Sequence, residues 1–331
     1  MKPTVLTRRT LLRTGAVATP ALLTFAARAQ TQLPDKALRI IVGFAANGGA
    51  DQMVRAVAPF LERRLGRHIT VENKPGNTGS AAGDSLKNGP ADGSVIAFMP
   101  STTLALSVAS ADVKFEPLVD FAPLTAVGTF ETALAVTPKA GVRTLEEYIE
   151  WTRNEDAKRR RVGMALSDSL LQMYMRSIGR EIGVTLDAVA YRGSAPLVAD
   201  LQDNRIAAGA GGVTAFLEYH RGNRLRMLAV SGPRRLDLAK DVPTATELGH
   251  PTLLTEEWYG YFTSARVPLQ IQQEWNRQIR AAIAVPEISA QIVRAGVQME
   301  NSTQDVAAAR MAAHIKMWKD RMDSLGLKPT N

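Results

Sequence analysis

Apolar runs of strand length alternate with segments of helical periodicity along most of this chain. A largely apolar run at 38–44 precedes a segment in which Met53, Val57 and Leu61 fall on one helical face. Further strands are predicted at 69–72, 95–99, 133–137, 161–165, 186–191, 225–231 and 259–264, and further helices at 80–86, 145–153, 170–182 and 195–202. This alternation predicts an α/β protein with parallel strands and right-handed crossovers, whose ligands gather at the carboxyl ends of the strands.

Two apolar stripes mark the C-terminal part as helical. One contains Ile271, Trp275, Ile279 and Ile283, and the other contains Met311, Ile315, Trp318 and Met322. We interpret both stripes as core packing and not as aromatic binding platforms. Two α/β lobes with a ligand cleft between them are the simplest arrangement for such a chain. Crossing strands near 125–136 and 225–231 are the predicted hinge.

Composition excludes several classes of protein. The 331 residues suit two domains or one large one. A content of 45% hydrophobic and 22% charged residues excludes a disordered or low-complexity chain. The absence of cysteine removes disulfides, thiolate metal sites and a cysteine nucleophile. The formal charge is +8, but five basic residues and no acidic ones precede Gln30. A chain cut there keeps 35 basic and 32 acidic residues, which is too even a balance to predict nucleic-acid binding.

The N-terminus has the features of an export signal. Arg8 and Arg9 precede a moderately apolar stretch at 15–27, and Ala27 and Ala29 supply the small residues of a cleavage site. The alternatives are a basic amphipathic helix or a membrane anchor, but the apolar stretch contains Pro20 and is short for a bilayer core of about 30 Å. We therefore predict a twin-arginine signal peptide at 1–29 and a periplasmic mature protein.

Seven short motifs occur in the order found in one protein family. They are FAANGGAD at 44–51, VENKPGNTG at 71–79, ADG at 91–93, DFAP at 120–123, YRGSAP at 191–196, DVPT at 241–244 and WYG at 258–260. With them the chain resembles the Bug family of periplasmic solute-binding proteins that serve tripartite tricarboxylate transporters. The likeness covers nearly everything after the signal segment.

The resemblance implies a two-lobed type II periplasmic binding fold that closes over a small solute. Lobe I would comprise residues 30–130 plus 229–331, and lobe II residues 131–228. The solute would be a small organic acid or an amino-acid-like compound, and the partner would be the permease subunits of a membrane transporter. A monomer without a cofactor is expected. A sensory role, in which the loaded protein meets a receptor instead of a permease, remains an alternative.

Two glycine-rich loops are the candidate carboxylate site, because in that family the matching loops hold a ligand carboxylate, partly through ordered waters. Each loop joins a strand to a helix, where free backbone N–H groups and the helix dipole favour an anion. The same loops can also be simple turns between strand and helix. The candidates are Phe44, Asn47, Gly48, Gly49, Ala50 and Asp51 in the first loop, Gly76, Asn77, Thr78 and Gly79 in the second, and Ser101 and Thr102 after the third strand.

Asp51 and the segment 191–193 carry open alternatives. Asp51 suits the first turn of a helix but repels an anion there, so it can serve the helix, organise a water or meet a ligand ammonium group. Tyr191 and Gly193 are candidate cleft residues, whereas Arg192 can equally be a solvated surface charge.

The segment 167–169 departs from the family, which usually has a glycine- and serine-rich loop followed by histidine. Ser167, Asp168 and Ser169 either cap the next helix or face the cleft. In the second case Asp168 would disfavour a second ligand carboxylate.

Signatures of the competing functions are missing from the sequence. There is no GxSxG, SxxK, Walker, GxGxxG or HExxH motif, and the four histidines are scattered. The basic run at 158–161 follows two acidic residues and has no interleaved aromatic residues, so it indicates a solvated loop and not a nucleic-acid site. We therefore expect neither an enzyme nor a nucleic-acid partner.

Overall fold

The computed structural model describes residues 33–153, 156–165 and 168–329. Its strands are β1 (Leu38–Val42), β2 (Ile69–Asn73), β3 (Val95–Pro100), β4 (Phe121–Phe130), β5 (Thr132–Val136), β6 (Arg161–Met164), β7 (Asp187–Ala190), β8 (Ala208–Gly212), β9 (Arg226–Val230), β10 (Glu257–Ser264) and β11 (Val297–Met299). The predicted signal peptide at 1–29 lies outside the described residues.

The helices cover both faces of the sheets. They are α1 (Gly49–Leu65), α2 (Ser80–Lys87), α3 (Ser101–Ala109), α4 (Pro117–Asp120), α5 (Leu145–Thr152), α6 (Asp168–Ile182), α7 (Ser194–Gln202), α8 (Val213–Arg221), α9 (Leu269–Ile283), α10 (Pro286–Arg294) and α11 (Gln304–Ser324). Within the described ranges, none of them combines the length and the apolar character that a membrane crossing requires.

The strands form two mixed sheets, which define the two lobes. Lobe I is built on six strands in the order β11-β4-β10-β3-β1-β2, and lobe II on five strands in the order β7-β6-β8-β5-β9. The predicted parallel pairing holds for β1 with β2 and β3 and for β6 with β7 and β8. It does not extend to β10, which runs antiparallel to β3 and β4, or to β5, which is antiparallel to β8 and β9.

The chain passes between the sheets at two places. Residue 131 separates β4 from β5, and β9 continues to Val230 before the chain returns to β10. The expected boundary at 229 therefore falls inside β9, whose last two residues pair with β5 of lobe II. The first crossing is the single residue 131 between two strands, whereas the second runs through turns and a short 3-10 helix at Asp237–Ala239 before it reaches β10.

The predicted helical stripes form the core of lobe I. Trp275 and Trp318 are fully buried, and the Trp275 indole donates a hydrogen bond to the Gly93 carbonyl at 2.8 Å. Helix α11 also contacts lobe II, because the Trp318 ring lies 4.4 Å from the ring of Tyr174 on α6. The C-terminal helix thus packs against elements of both sheets.

Strand β8 and helix α8 were not predicted from the sequence. The strand reads Ala-Gly-Ala-Gly-Gly and lacks the β-branched residues that usually mark strands. Helix packing explains Gly209 of β8 and its neighbour Gly163 on β6: a Cβ added at Gly163 or Gly209 would lie 2.5 or 2.9 Å from the Leu197 side chain of α7. The close approach of α7 to the sheet thus requires small residues at these positions. Because small residues are not typical of strands, the sequence did not predict a strand there.

Candidate functional site

A cavity of about 480 Å³ lies where the two lobes face each other. Lobe I and the first crossing contribute Phe44, Ala45, Gly48, Gly49, Ala50, Met53, Thr78, Pro100, Thr102, Phe130, Glu131, Glu257, Tyr259, Ala295 and Gly296. Lobe II contributes Thr132, Met164, Ala165, Tyr174, Gly193, Ser194, Ala210, Gly211, Gly212, Val213, Thr214 and Ala215. This volume is in the range of pockets that enclose small molecules.

Four helices begin at this cavity, two from each lobe. Helices α1 and α3 start in lobe I, and α7 and α8 start in lobe II, each with its first residues in or beside the cavity wall. Their N-caps are Gly48, Pro100, Gly193 and Gly212, and none of these makes a side-chain capping bond. The amides of these first turns lack the usual side-chain partner, although the Val213 amide of α8 donates to the Glu131 carbonyl at 3.0 Å. The positive ends of the helix dipoles favour an anion.

The first predicted loop reaches the cavity at only some of its positions. Phe44, Gly48, Gly49 and Ala50 line the wall, but Asn47 and Asp51 do not. Asp51 is fully buried, and its carboxylate accepts a hydrogen bond from the main-chain amide of Asn47 at 2.8 Å. Two side chains also donate to it. Of the alternatives left open for Asp51, its contacts agree with service to the fold and not with ligand contact: its carboxylate holds the loop that precedes α1 in place.

The other Asp51 contacts connect this loop to β2. Asp51 accepts hydrogen bonds from the Arg55 guanidinium at 2.9 Å and from the Asn73 amide at 2.9 Å, and the same Asn73 amide donates to the Phe44 carbonyl at 3.0 Å. Burial by itself raises the pKa of Asp51, but these hydrogen bonds outweigh burial and lower the pKa below its usual value. Asp51 is consequently an ionised group that holds the loop in place.

The second predicted loop brings one residue, Thr78, to the cavity wall. Gly76, Asn77 and Gly79 do not line it. Gly79 has φ +86° and packs so closely against Thr103 that a Cβ there would lie 2.6 Å from the threonine Oγ1. Thr103 in turn donates a hydrogen bond to the Thr78 carbonyl at 2.8 Å. The glycine in this loop thus serves the packing of β1, α2 and α3, and this role corrects its assignment as a direct contact.

After β3, Thr102 lines the cavity but Ser101 does not. The Ser101 hydroxyl donates to the carboxyl group of Glu257 and accepts a hydrogen bond from the Trp258 amide at 3.0 Å. The Tyr174 hydroxyl donates to the other Glu257 oxygen. Ser101 therefore supports a residue of the wall and is not free for a ligand.

Glu257 is a buried carboxyl group with which no Lys or Arg of the described residues forms an ion pair, although the charge of Arg321 acts on it and opposes the rise of its pKa. Burial raises its pKa to about 7, although the hydrogen bonds from Ser101 and Tyr174 oppose that rise. His314 Nε2 lies 3.8 Å from Glu257 Oε2, and burial lowers the pKa of His314 to about 4. The neighbouring histidine is therefore neutral at neutral pH.

In lobe II, Gly193 lines the cavity but Tyr191 packs elsewhere. The Tyr191 hydroxyl donates to Asp200 at 2.9 Å, and burial together with this bond raises the pKa of Tyr191 to about 12. Its ring contacts Gly163 on β6, which corrects the expectation of a cleft residue. Ser167 lies outside the described residues, and Asp168 and Ser169 are described only as the first residues of α6.

Sequence reasoning missed most of the hydrophobic wall and the start of α8. The Phe130 and Tyr259 rings stack with centroids 4.6 Å apart, although 129 residues separate them in the chain. Glu131 was also missed: it accepts hydrogen bonds from Ser231 and from the Gln298 amide, and burial raises its pKa to about 7. The pair Gly211 and Gly212 before an amphipathic segment was a usable signal for another strand-to-helix turn.

The described lining contains no Lys, Arg or His. The described residues also contain no group of three or more His, Cys, Asp or Glu placed to hold a metal ion. Among the described lining residues, the cavity wall presents helix-start amides, the hydroxyl groups of Thr102, Thr214 and Ser194, and an apolar surface. The Thr132 hydroxyl already donates to the Thr255 carbonyl at 3.1 Å. Such a surface can hold an anion through neutral donors and can enclose a hydrocarbon group.

Comparisons with known proteins agree with this architecture. A family model described as the tripartite tricarboxylate transporter family receptor, TctC, matches residues 53–327. Protein BugT of Bordetella pertussis is 26% identical over 300 residues, which are 89% of this chain and 91% of that protein. A solved periplasmic transporter superposes with a TM-score of 0.79 at 25% identity and covers 89% of this chain and 99% of its own. Rhodopseudomonas palustris Rpa4515, solved with adipate, superposes with a TM-score of 0.78 at 22% identity over 89% of this chain and 99% of its own.

Proposed function

Because this chain belongs to the tripartite tricarboxylate transporter receptor family, we propose that it captures a small carboxylate-bearing metabolite in the periplasm and delivers it to the membrane permease of such a transporter. The family consists of solute-binding receptors and not of enzymes, and the Bug-family resemblance is confirmed by BugT. The observation that carries the proposal is the meeting of four helix starts without side-chain caps at one cavity between the lobes.

The carboxylate is held by main-chain amides at the start of α1, with hydroxyl donors beside it. Gly48 and Gly49 permit close approach of the ligand, since a Cβ at Gly49 would meet nothing within 4 Å. Thr78 and Thr102 line the same region of lobe I. Loops from lobe II complete the site, so a solute that contacts both lobes favours the closed arrangement and shifts the population towards it.

Calorimetric titration with a carboxylate and its matched primary amide tests binding. The carboxylate should bind and the amide should not, because only the anion gains from the helix dipoles. Small-angle scattering with and without saturating ligand tests closure, and a decrease in the radius of gyration is expected. Identical profiles at saturation would contradict closure, and equal heats for acid and amide would contradict the carboxylate site.

The export route is a separate part of the proposal. The full chain is expected in the periplasmic fraction, and replacement of Arg8 and Arg9 by lysine should retain it in the cytoplasm if the twin-arginine route is used. Unchanged export of that variant would assign the chain to another secretion route.

A further inference from the structure

The wall of the cavity limits the charge of the solute. The described lining has no cationic side chain, yet two glutamates, Glu131 and Glu257, are part of it. Their exposed fractions are 3% and 1%, so water screens their charges poorly. A ligand with two carboxylates would bring its second negative charge into a wall that has no cationic side chain of its own and holds two acidic groups, which are ionised once the pH exceeds their raised pKa of about 7.

Neither glutamate is free to contact a ligand ammonium group. Glu257 accepts hydrogen bonds from Ser101 and Tyr174. Glu131 accepts hydrogen bonds from Ser231 and Gln298. Because each of these oxygens already accepts a hydrogen bond from the protein and the side chains are almost fully buried, a cationic ligand group would have to lose its hydration to reach them.

The accessible part of the wall is largely apolar. Phe44, Phe130 and Tyr259 are half-buried and line the cavity, and Met53 and Met164 lie in the same wall. The Tyr259 ring is fixed between two others, with Phe130 at 4.6 Å and Phe98 at 5.2 Å between ring centroids. A rigid aromatic surface of this kind suits a hydrocarbon group that leaves water on binding.

We propose that the solute is a monocarboxylate with an apolar body. Its carboxylate lies at the start of α1, and its hydrocarbon part lies against Phe44, Phe130 and Tyr259. The inference rests on the proposed carboxylate-binding function and narrows its ligand class. Arg192 precedes the lining residue Gly193 in the chain but does not line the cavity, so the carboxylate is held without a cationic side chain.

The test compares ligands of equal length. Hexanoate, adipate, 6-aminohexanoate and hexanamide are titrated calorimetrically above pH 8, where both glutamates are ionised. Benzoate with benzene-1,4-dicarboxylate forms a second, aromatic pair. The monocarboxylate of a pair should bind at least about tenfold more tightly than the dicarboxylate and than the amino acid. Equal or tighter binding of adipate, the dicarboxylate of the aromatic pair, or 6-aminohexanoate overturns the inference and leaves the carboxylate-binding function intact. Binding of hexanamide as tight as that of hexanoate overturns the carboxylate-binding function itself.

A variant pair tests whether the wall causes the preference. Glu257→Gln should reduce the preference for the monocarboxylate about tenfold above pH 8, where the native carboxyl group is ionised. Glu150→Gln, an exposed residue of α5 outside the cavity, is the matched control and should leave the preference unchanged. If Glu257→Gln does not fold, Glu131→Gln is measured in its place. An unchanged preference in the folded glutamine variant overturns the role of the wall.

The full chain with Arg192→Ala completes the test. Its affinity for the monocarboxylate should remain within about twofold of the native protein. A loss of tenfold or more would show that a cationic side chain holds the ligand, and the inference of a site without one would be wrong.

Discussion

The hydroxyl of Tyr174, on α6 of lobe II, donates a hydrogen bond to the carboxyl group of Glu257, on β10 of lobe I. Both residues line the cavity, and both are at least 95% buried. Ser101 donates to the second oxygen of the same carboxyl group. A single buried acid thus accepts hydrogen bonds from both lobes beside the proposed ligand.

Removing the Tyr174 hydroxyl should destabilise the protein without disturbing its packing. Tyr174→Phe keeps the ring contact with Trp318 but leaves one Glu257 oxygen without its donor. We expect a loss of about 1–3 kcal/mol in the free energy of unfolding, measured by urea denaturation. Tyr191→Phe is the control, because it removes a hydrogen bond to the partly exposed Asp200. Equal losses in the two variants would contradict a special contribution from the bond between the lobes.

A carboxylate placed at the start of α1 should compete with the ligand. Space around Gly49 admits a side chain, so Gly49→Asp and its uncharged counterpart Gly49→Asn should both fold. We expect Gly49→Asp to weaken carboxylate binding at least about tenfold and Gly49→Asn to change it by less than about threefold. Calorimetric titration measures both. A similar affinity in the two variants would indicate that the ligand anion lies away from α1.

Asp51→Asn should cost stability in a way that depends on pH. The Asp51 pKa in the folded protein is below its usual value of 3.8, because hydrogen bonds from Arg55, the Asn47 amide and Asn73 outweigh the opposing effect of burial. Its contribution is therefore present above pH 3.8 and is lost as the pH falls through the lower folded value. We expect a loss of about 1.5–3 kcal/mol at neutral pH and a smaller loss in acid. Chemical denaturation across this pH range checks the result, and a loss that does not vary with pH would exclude the ionised form as the cause.

Glu257 should produce the opposite pH dependence. Burial raises its pKa from 4.5 to about 7, so the folded protein favours the protonated acid. The contribution of protonated Glu257 to the free energy of unfolding is complete below pH 4.5, declines as the pH rises and is lost above about pH 7. The pKa of His314 is lowered to about 4, so His314 changes the free energy of unfolding with pH in the opposite sense. The free energy of unfolding of the native protein is therefore compared with that of Glu257→Gln at each pH. The free energy of unfolding of the native protein should fall relative to that of the variant between pH 5 and pH 8, and parallel curves would contradict the buried acid as its source.

Local periodicity predicted the elements that have one buried face. Met53, Val57 and Leu61 of α1 are buried as their spacing requires, and so are Trp275, Ile279, Met311 and Trp318 in the C-terminal helices. The strand-to-helix order also predicted that Gly48 and Gly49 begin a helix at a strand end, which is where the cavity lies. These features depend on neighbours within a few residues, so a single sequence contains them.

Tertiary structure alone decided which polar groups face the cavity. Asp51 accepts a hydrogen bond from Asn73, 22 residues away, and Tyr191 donates one to Asp200. Neither residue could be distinguished from a ligand contact by its place in a motif. The stack of Phe130 on Tyr259 and the bond from Tyr174 to Glu257 arise because β10, which lies far downstream in the chain, inserts between β3 and β4. Periodicity determines which side of an element is buried, whereas the order of strands in the sheet determines what that side meets.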